Sequence, residues 1–105
     1  MFSLEALMVC VLIRHKVADY PKWRSVFDSS IAFRQAGGET NCRIFRTPDN
    51  GDELTLFFEW ETMGKARQFM NSPELRSRMQ QAGVVGQPEI HFLSELYMVR
   101  RSAAD

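Results

Sequence analysis

The sequence predicts a single α+β domain in which a four-stranded antiparallel sheet carries helices on one face. Three observations lead to this fold class: a length of 105 residues, apolar runs of strand length, and two stretches with apolar side chains at helical spacing. A chain of this length is close to the commonest size of one domain and has no room for a second.

The first strand is predicted over residues 8–16, where a β-branched apolar run ends in charged side chains. That pattern is typical of a buried strand. The first helix follows it, because Asp19 can cap a helix and Pro21 is tolerated in a first helical turn. Apolar side chains then recur at helical spacing, and the helix is expected to end at Gly37-Gly38.

The second and third strands are predicted to form a hairpin. Residues 40–47 and residues 53–61 both have the composition of strands. The segment Pro48-Asp49-Asn50-Gly51 stands between them and is a strong turn signal. The hairpin is therefore the most local part of the predicted sheet.

An interrupted second helix and a fourth strand complete the domain. The helix is predicted to begin at Thr62, to restart at Ser72-Pro73-Glu74 and to end at Gly83. The fourth strand is predicted over residues 89–99. The order β-α-β-β-α-β, with right-handed crossovers, places both helices on one face of an antiparallel sheet, as in ferredoxin-like folds.

The domain is predicted to span residues 8–99. Residues 1–7 precede a strand that is complete without them, and Glu5 stands where a signal peptide carries basic charge, so this segment is predicted to be an N-terminal extension. Residues 100–105 lack the apolar content that would hold them in place. They are predicted to be a disordered tail.

The charge balance and the cysteine content exclude several classes of protein. Thirteen Lys and Arg residues match thirteen Asp and Glu residues, which removes the electrostatic attraction to nucleic acid or to anionic lipid. Cys10 and Cys42 are too few and too far apart for a disulfide-stapled scaffold, and the two histidines add no zinc-type spacing. We therefore predict a cytoplasmic protein with no metal ion, no nucleic-acid partner and no membrane partner.

One face of the predicted sheet is apolar but has no helix to cover it. Alternate residues of the third strand, from Leu54 to Trp60, suit the helix side. The other face is expected to receive the apolar side chains of Val9, Val11, Ile13, Phe45, Phe57, Leu93 and Tyr97. An uncovered apolar face marks an interface, which predicts a twofold homodimer with the two sheets packed face to face. The alternative is a monomer whose sheet face is only mildly apolar.

Four segments resemble small proteins of the dimeric α+β barrel superfamily: residues 11–16, 19–23, 57–60 and 82–86. The resemblance covers nearly the whole chain and points to the branch near the antibiotic-biosynthesis monooxygenases and cyclase-like proteins. It implies a homodimeric barrel that acts on a small aromatic or polyketide-like compound without a cofactor. Trp60 matches a Trp that these proteins keep at the end of the third strand. Phe69 and Met70 stand where the haem-degrading members keep a His.

Two histidines and a glutamate form the predicted catalytic group. If the first strand pairs antiparallel with the fourth, a plausible register sets His15 beside His91 on the dimer-facing side. Glu59 then lies on the neighbouring strand. An imidazole can act as an acid or a base near neutral pH. The alternative is that both histidines are ordinary strand-end residues, hydrogen-bonded to Glu59 or to the backbone.

Four residues are predicted to bind the ligand between the sheet and the helices. Arg14 is expected to neutralise an anionic group there, or else to pair with Asp19 or Glu61 at the rim. Aromatic side chains are expected to line a flat pocket for a polycyclic ligand: Phe58, Trp60 and Phe69. The alternative is that these rings are plain core.

Two functions follow from these patterns. The first is a cofactor-free enzyme of the monooxygenase or cyclase type, and the second is a non-catalytic small-molecule-binding or stress-response protein. A third hypothesis is a purely structural oligomerisation module, which would contain no enclosed pocket.

Overall fold

The computed structural model of the protein describes residues 8–99, which form four strands and four helices. The strands are β1 (Val9–Val17), β2 (Glu39–Thr47), β3 (Asn50–Trp60) and β4 (Val84–Ser94). The helices are α1 (Tyr20–Ser29), α2 (Ile31–Ala36), α3 (Met63–Met70) and α4 (Pro73–Gln81). The extension predicted for residues 1–7 and the tail predicted for residues 100–105 lie outside the described residues.

The four strands form one antiparallel sheet in the order β2-β3-β1-β4. β1 lies in the centre and pairs with both β3 and β4, while β2 and β4 are the edge strands. This is the predicted ferredoxin-like α+β sandwich, so the fold class is confirmed.

The core lies between the sheet and the helices. Alternate residues of the two central strands supply its centre, where Val11, Ile13 and Leu54 have at most 2% of their surface exposed. Burial of one such side chain contributes about 1.5–3 kcal/mol of transfer free energy. The helices contribute Trp23 and Phe69 to the same cluster.

The first predicted helix is divided at Ser30 into α1 and α2. The hydroxyl of Ser30 donates a hydrogen bond to the carbonyl of Val26 at 2.8 Å, and the hydroxyl of Ser29 donates to the same carbonyl at 3.0 Å. Serine hydroxyls that bond back to a preceding turn compete with the helical ladder and bend helices. The expectation of one continuous helix up to Gly37 is therefore wrong.

The interruption of the second predicted helix is confirmed. The side chain of Thr62 caps α3 by accepting from the backbone N–H of Lys65, and the side chain of Ser72 caps α4 by accepting from that of Leu75. α3 buries three side chains, whereas α4 buries none. α4 is thus the less firmly held of the two.

β4 begins at Val84 and ends at Ser94, so the strand predicted over residues 89–99 is placed too late. The β4 side of the β1–β4 ladder is irregular: Arg14 pairs with Glu89, but Lys16 pairs with Val85. Residues 86–88 of β4 therefore oppose His15 alone. Gly86 makes this bulge possible, because its φ of 76° is one that side chains rarely tolerate.

The observed register reverses the predicted faces of β1. Val9, Val11 and Ile13 point to the helices and not to the uncovered face, because Val11 pairs with Phe58 of the core. Leu12, which pairs with Phe57 and His91, lies on the other face of the sheet. No helix within residues 8–99 covers this face, which is called here the open face. Phe45 and Leu93 belong to the open face as predicted, and Tyr97 lies beyond the end of β4.

Within residues 8–99, no helix has both the length and the apolar content needed to cross a membrane.

Candidate functional site

The sheet and the helices leave a narrow cavity of about 60 Å³ between them. Five aromatic rings contribute to a lining that is almost entirely apolar: Trp23, Phe27, Phe33, Phe58 and Phe69. A single water molecule needs roughly 10–15 Å³. The cavity therefore holds a few waters as it stands. An aromatic ring, which fits a cavity of about 150 Å³, enters only if side chains of the lining move.

His15 contributes the most unusual polar group to the cavity. The residue is only 6% exposed, and neither ring nitrogen has a hydrogen-bond partner within residues 8–99. Its ring lies edge-on to Trp23, with the centroids 5.9 Å apart. Burial lowers the pKa of His15 from 6.5 to about 4, so the imidazole is neutral at pH 7. It then offers one N–H donor and one nitrogen acceptor to whatever fills the cavity.

Two arginines contribute cationic groups to the same lining. Arg34 is buried, and its Nε donates to Glu39 Oε1 at 2.7 Å while its Nη1 donates to the carbonyl of Phe27. Its guanidinium stacks on the Phe27 ring, 3.6 Å from the centroid. Arg78 Nη1 donates to the hydroxyl of Ser30 at 2.9 Å. Arg78 is the less buried arginine, and its other nitrogens bond Glu74.

The predicted pair of histidines does not form. His15 points to the helices, whereas His91 pairs with Leu12 on the open face and is exposed. The predicted register is three residues out, and because side chains alternate along a strand, an odd error cannot place both strands on their true faces. His91 lies on the open face as predicted, but His15 does not. Glu59 also lies on the open face, where it accepts from Asn41 Nδ2 at 3.3 Å. The sheet therefore separates His15 from the other two predicted catalytic residues, His91 and Glu59.

Arg14 is on the opposite face from the one predicted. Its Nη2 donates to Glu53 Oε1 at 2.7 Å, and its Nη1 lies 3.9 Å from Glu89 Oε2. This hydrogen bond holds the pKa of Glu53 below its ordinary value. The predicted partners Asp19 and Glu61 are not used. An anion between sheet and helices cannot reach Arg14.

The three predicted aromatic residues are all on the helix side, as expected. Phe58 and Phe69 line the cavity. Trp60 packs against both rings but is not part of the lining, and its Nε1 donates to the carbonyl of Gly37 at 2.8 Å. The indole N–H is thus already satisfied by backbone.

The polar residues that α1 and α2 bring to the cavity were not predicted from the sequence. Trp23, Phe27, Ser30 and Arg34 recur at helical spacing, so one helical face carries a hydroxyl and a guanidinium within an apolar stripe. A cation inside such a stripe is rarely buried without a partner. The position of Arg34 within the stripe was visible in the sequence. Its partner Glu39 could not be found from helical spacing, because Glu39 lies beyond the end of α2.

Neither cysteine offers a reactive thiolate. Burial raises the pKa of the Cys42 thiol to about 12, with a smaller contribution from Glu39. Burial and the nearby carboxylates likewise raise the pKa of Cys10. The thiolate is the nucleophilic form. No group of three potential metal-ligating side chains occurs between residues 8 and 99.

No protein-family model and no curated protein matches the chain. Several solved structures share its fold. A candidate antibiotic biosynthesis monooxygenase from Bordetella bronchiseptica is 16% identical, with a TM-score of 0.71 over 86% of this chain and 98% of that one. SnoaB, a cofactor-independent oxygenase from Streptomyces nogalater, is 17% identical, with a TM-score of 0.64 over 93% and 98% of the two chains.

A dimeric ferredoxin-like protein from an uncultured marine organism is 9% identical, with a TM-score of 0.61 over 95% of this chain and 97% of that one. At identities this low, the structural similarity demonstrates a common fold alone. The resemblance drawn from the sequence is therefore confirmed at the level of the fold.

Proposed function

We propose that this protein binds a small aromatic compound with an acidic hydrogen in the cavity between the sheet and the helices. The observation that supports this most directly is the buried imidazole of His15, whose two nitrogens have no partner within residues 8–99. A buried polar group without a partner costs about 1–3 kcal/mol. A ligand hydroxyl that donates to His15 recovers this cost, and the aromatic lining stacks on the ring.

The two arginines suit the charge that such a compound develops. When a phenol or an enolisable ring ketone loses its proton to His15, the negative charge resides on an oxygen atom. Arg34 and Arg78 line the same cavity, and their cations favour that oxyanion. The oxyanion itself also favours the protonated form of the imidazole beside it, which offsets part of the weakness of His15 as a base.

Binding of phenol and of toluene tests the proposal, because the two compounds have similar size but only phenol donates a hydrogen bond. We expect calorimetry to give about tenfold tighter binding of phenol, the equivalent of one net hydrogen bond. The variant His15→Leu should lose this preference and keep its affinity for toluene.

His91→Leu is the matched control, since His91 lies on the open face, and it should bind both compounds as the wild type does. Equal affinity of the wild type for phenol and toluene would contradict the role of His15. Failure of both compounds to bind would remove the cavity as a ligand site.

Conversion of the ligand is the first candidate activity, and the fold shared with SnoaB, described as a cofactor-independent oxygenase, favours it. In this reaction His15 accepts a proton from the ring CH₂ of an aromatic ketone, and the carbanion is stabilised as an aryloxide. The CH₂ then loses its second hydrogen and becomes C=O. One atom of O₂ becomes the carbonyl oxygen and the other leaves as water.

Binding without conversion is the second candidate, and two observations favour it. The pKa of His15 is about 4, which makes the imidazole a weak base. The indole of Trp60 is held by the Gly37 carbonyl and is not offered to a ligand. Oxygen uptake with anthrone separates the candidates: uptake no faster than in buffer leaves binding as the supported function.

A second copy of the chain is proposed to cover the open face. Leu12 and Phe57 are adjacent at the centre of that face, and Phe45 and Leu93 are 44% and 41% exposed. Residues 96–99, which follow β4, have side chains that are 61–91% exposed. Exposed apolar side chains in this number favour an interface, and one of the proteins with the same fold is described as dimeric.

Sedimentation velocity of the variant Phe57→Asp tests the homodimer. We expect the wild type to sediment as a dimer at micromolar concentration and Phe57→Asp as a folded monomer, because a carboxylate at the centre of an apolar interface loses its hydration. Ile31→Asp is the matched control, since Ile31 is 50% exposed on α2 and should not affect assembly. A wild type that sediments as a monomer, or a dimeric Phe57→Asp, rules out this interface.

A further inference from the structure

A second depression lies directly outside the cavity, between α4 and the start of β4. This outer groove has a volume of about 430 Å³. Three side chains line both the groove and the cavity: Leu75, Met79 and Val84. The two spaces are therefore separated by a wall only one side chain thick.

The wall is suited to opening. Leu75 and Met79 are four residues apart on α4 and so share one helical face. α4 buries none of its side chains, and segments with few buried contacts open most easily. Met79 is unbranched and can change its rotamer at little cost. Rotation of Met79 about its side-chain bonds can therefore open the wall.

The bulge of β4 builds the groove at the position of His15. Gly86, Gln87 and Pro88 are the residues that oppose His15 in the ladder, and all three line the groove. Bulges often lie beside functional sites, where they re-aim side chains and interrupt pairing. The bulge therefore lies beside His15, the candidate catalytic residue.

The groove differs in polarity from the cavity. Its lining includes Arg76, Gln80 and Gln87 beside apolar side chains. Arg76 is exposed and forms no ion pair with any residue between 8 and 99. A cation with two amides offers hydrogen-bond donors to an anion.

We propose that the groove is the outer half of the binding site and that the ligand is an elongated aromatic acid. Its ring occupies the cavity against His15, and its acidic tail lies in the groove beside Arg76. This inference rests on the proposed function. A cavity of 60 Å³ is far smaller than the roughly 300–1,000 Å³ of typical ligand sites, and the adjoining groove supplies the missing volume.

The test compares the binding of phenol with the binding of 6-(4-hydroxyphenyl)hexanoic acid, measured by calorimetry. We expect the acid to bind the wild type about tenfold more tightly than phenol, because its carboxylate reaches Arg76. Arg76→Gln should lose this advantage and still bind phenol normally. Lys22→Gln removes an exposed charge from α1, away from the groove, and should keep the advantage.

Each outcome of this comparison separates the two proposals. If the acid binds no better than phenol, or if Arg76→Gln keeps the advantage, the groove is not part of the site, although phenol binding through His15 stands. If the methyl ester of the acid binds as well as the acid, the tail site does not recognise a charge, and the inference is overturned. If phenol itself does not bind, the proposed function fails and the inference fails with it.

Discussion

The protein should lose about 3 kcal/mol of its free energy of unfolding between pH 6.5 and pH 4 through His15 alone. The pKa of this imidazole is about 4 in the folded chain and 6.5 in the unfolded chain. Within that window the unfolded state binds the proton and the folded state does not, so stability falls as the pH falls. Above pH 6.5 neither state is protonated and the effect is absent.

The variant His15→Leu isolates this effect. At pH 7 we expect it to be more stable than the wild type by about 1–3 kcal/mol, because it removes two buried nitrogens without partners. By pH 4 the difference should widen by about a further 3 kcal/mol. Urea unfolding at a series of pH values measures this difference in the free energy of unfolding. Carboxylates such as Glu53 are present in both proteins, so their contributions to the pH dependence of stability cancel in the comparison.

A difference between the two proteins that does not change with pH would contradict the burial of His15. The same variant serves the ligand experiment, since a more stable protein that no longer prefers phenol has not lost the preference by unfolding. Binding sites often contain polar groups that lower the stability of the fold. His15 would then be a residue that the fold tolerates for its function.

Loss of Arg34 should cost about 3–5 kcal/mol. Arg34 and Glu39 are 8% and 7% exposed in their side chains and pair at 2.7 Å. Removal of one partner leaves a buried carboxylate without its cation, which is far more costly than the net value of the pair. Urea unfolding of Arg34→Met at pH 7 measures the loss.

The double variant Arg34→Met with Glu39→Leu should recover most of that stability, because apolar side chains often replace a buried ion pair at little cost. Arg24→Met is the matched control: Arg24 pairs with Asp28, but both side chains are more than half exposed, so its loss should be below about 1 kcal/mol. If the double variant is no more stable than Arg34→Met, the cost does not come from the stranded carboxylate.

The fold could be predicted from the sequence because its signals are local. Periodicity, caps and turn residues each depend on a few neighbouring positions, as with Thr62 and Ser72 at the starts of α3 and α4. The faces of β1 could also have been predicted correctly. Arg14 and Lys16 share one face, which marks it as the more polar one and assigns His15 to the core with Ile13 and Val17.

The positions of the candidate site residues could be predicted only in part, because they depend on strand register. Gly83, Gly86 and Pro88 look like a loop, and the bulge that accommodates the last two within β4 leaves no local signal of its own. An odd error in register moves every side chain of a strand to the other face. Phe58 and Phe69 were placed correctly, because β3 and α3 have unambiguous periodicity.

The bulge at residues 86–88 also affects how copies of the chain can meet. β4 is an edge strand, and an unbroken edge is a template on which a strand from another molecule can add and propagate into a fibril. Pro88 has no N–H to offer, and the kink at Gly86 spoils the straight row of backbone groups. The irregularity that lines the outer groove thereby discourages the addition of further strands to this edge of the sheet.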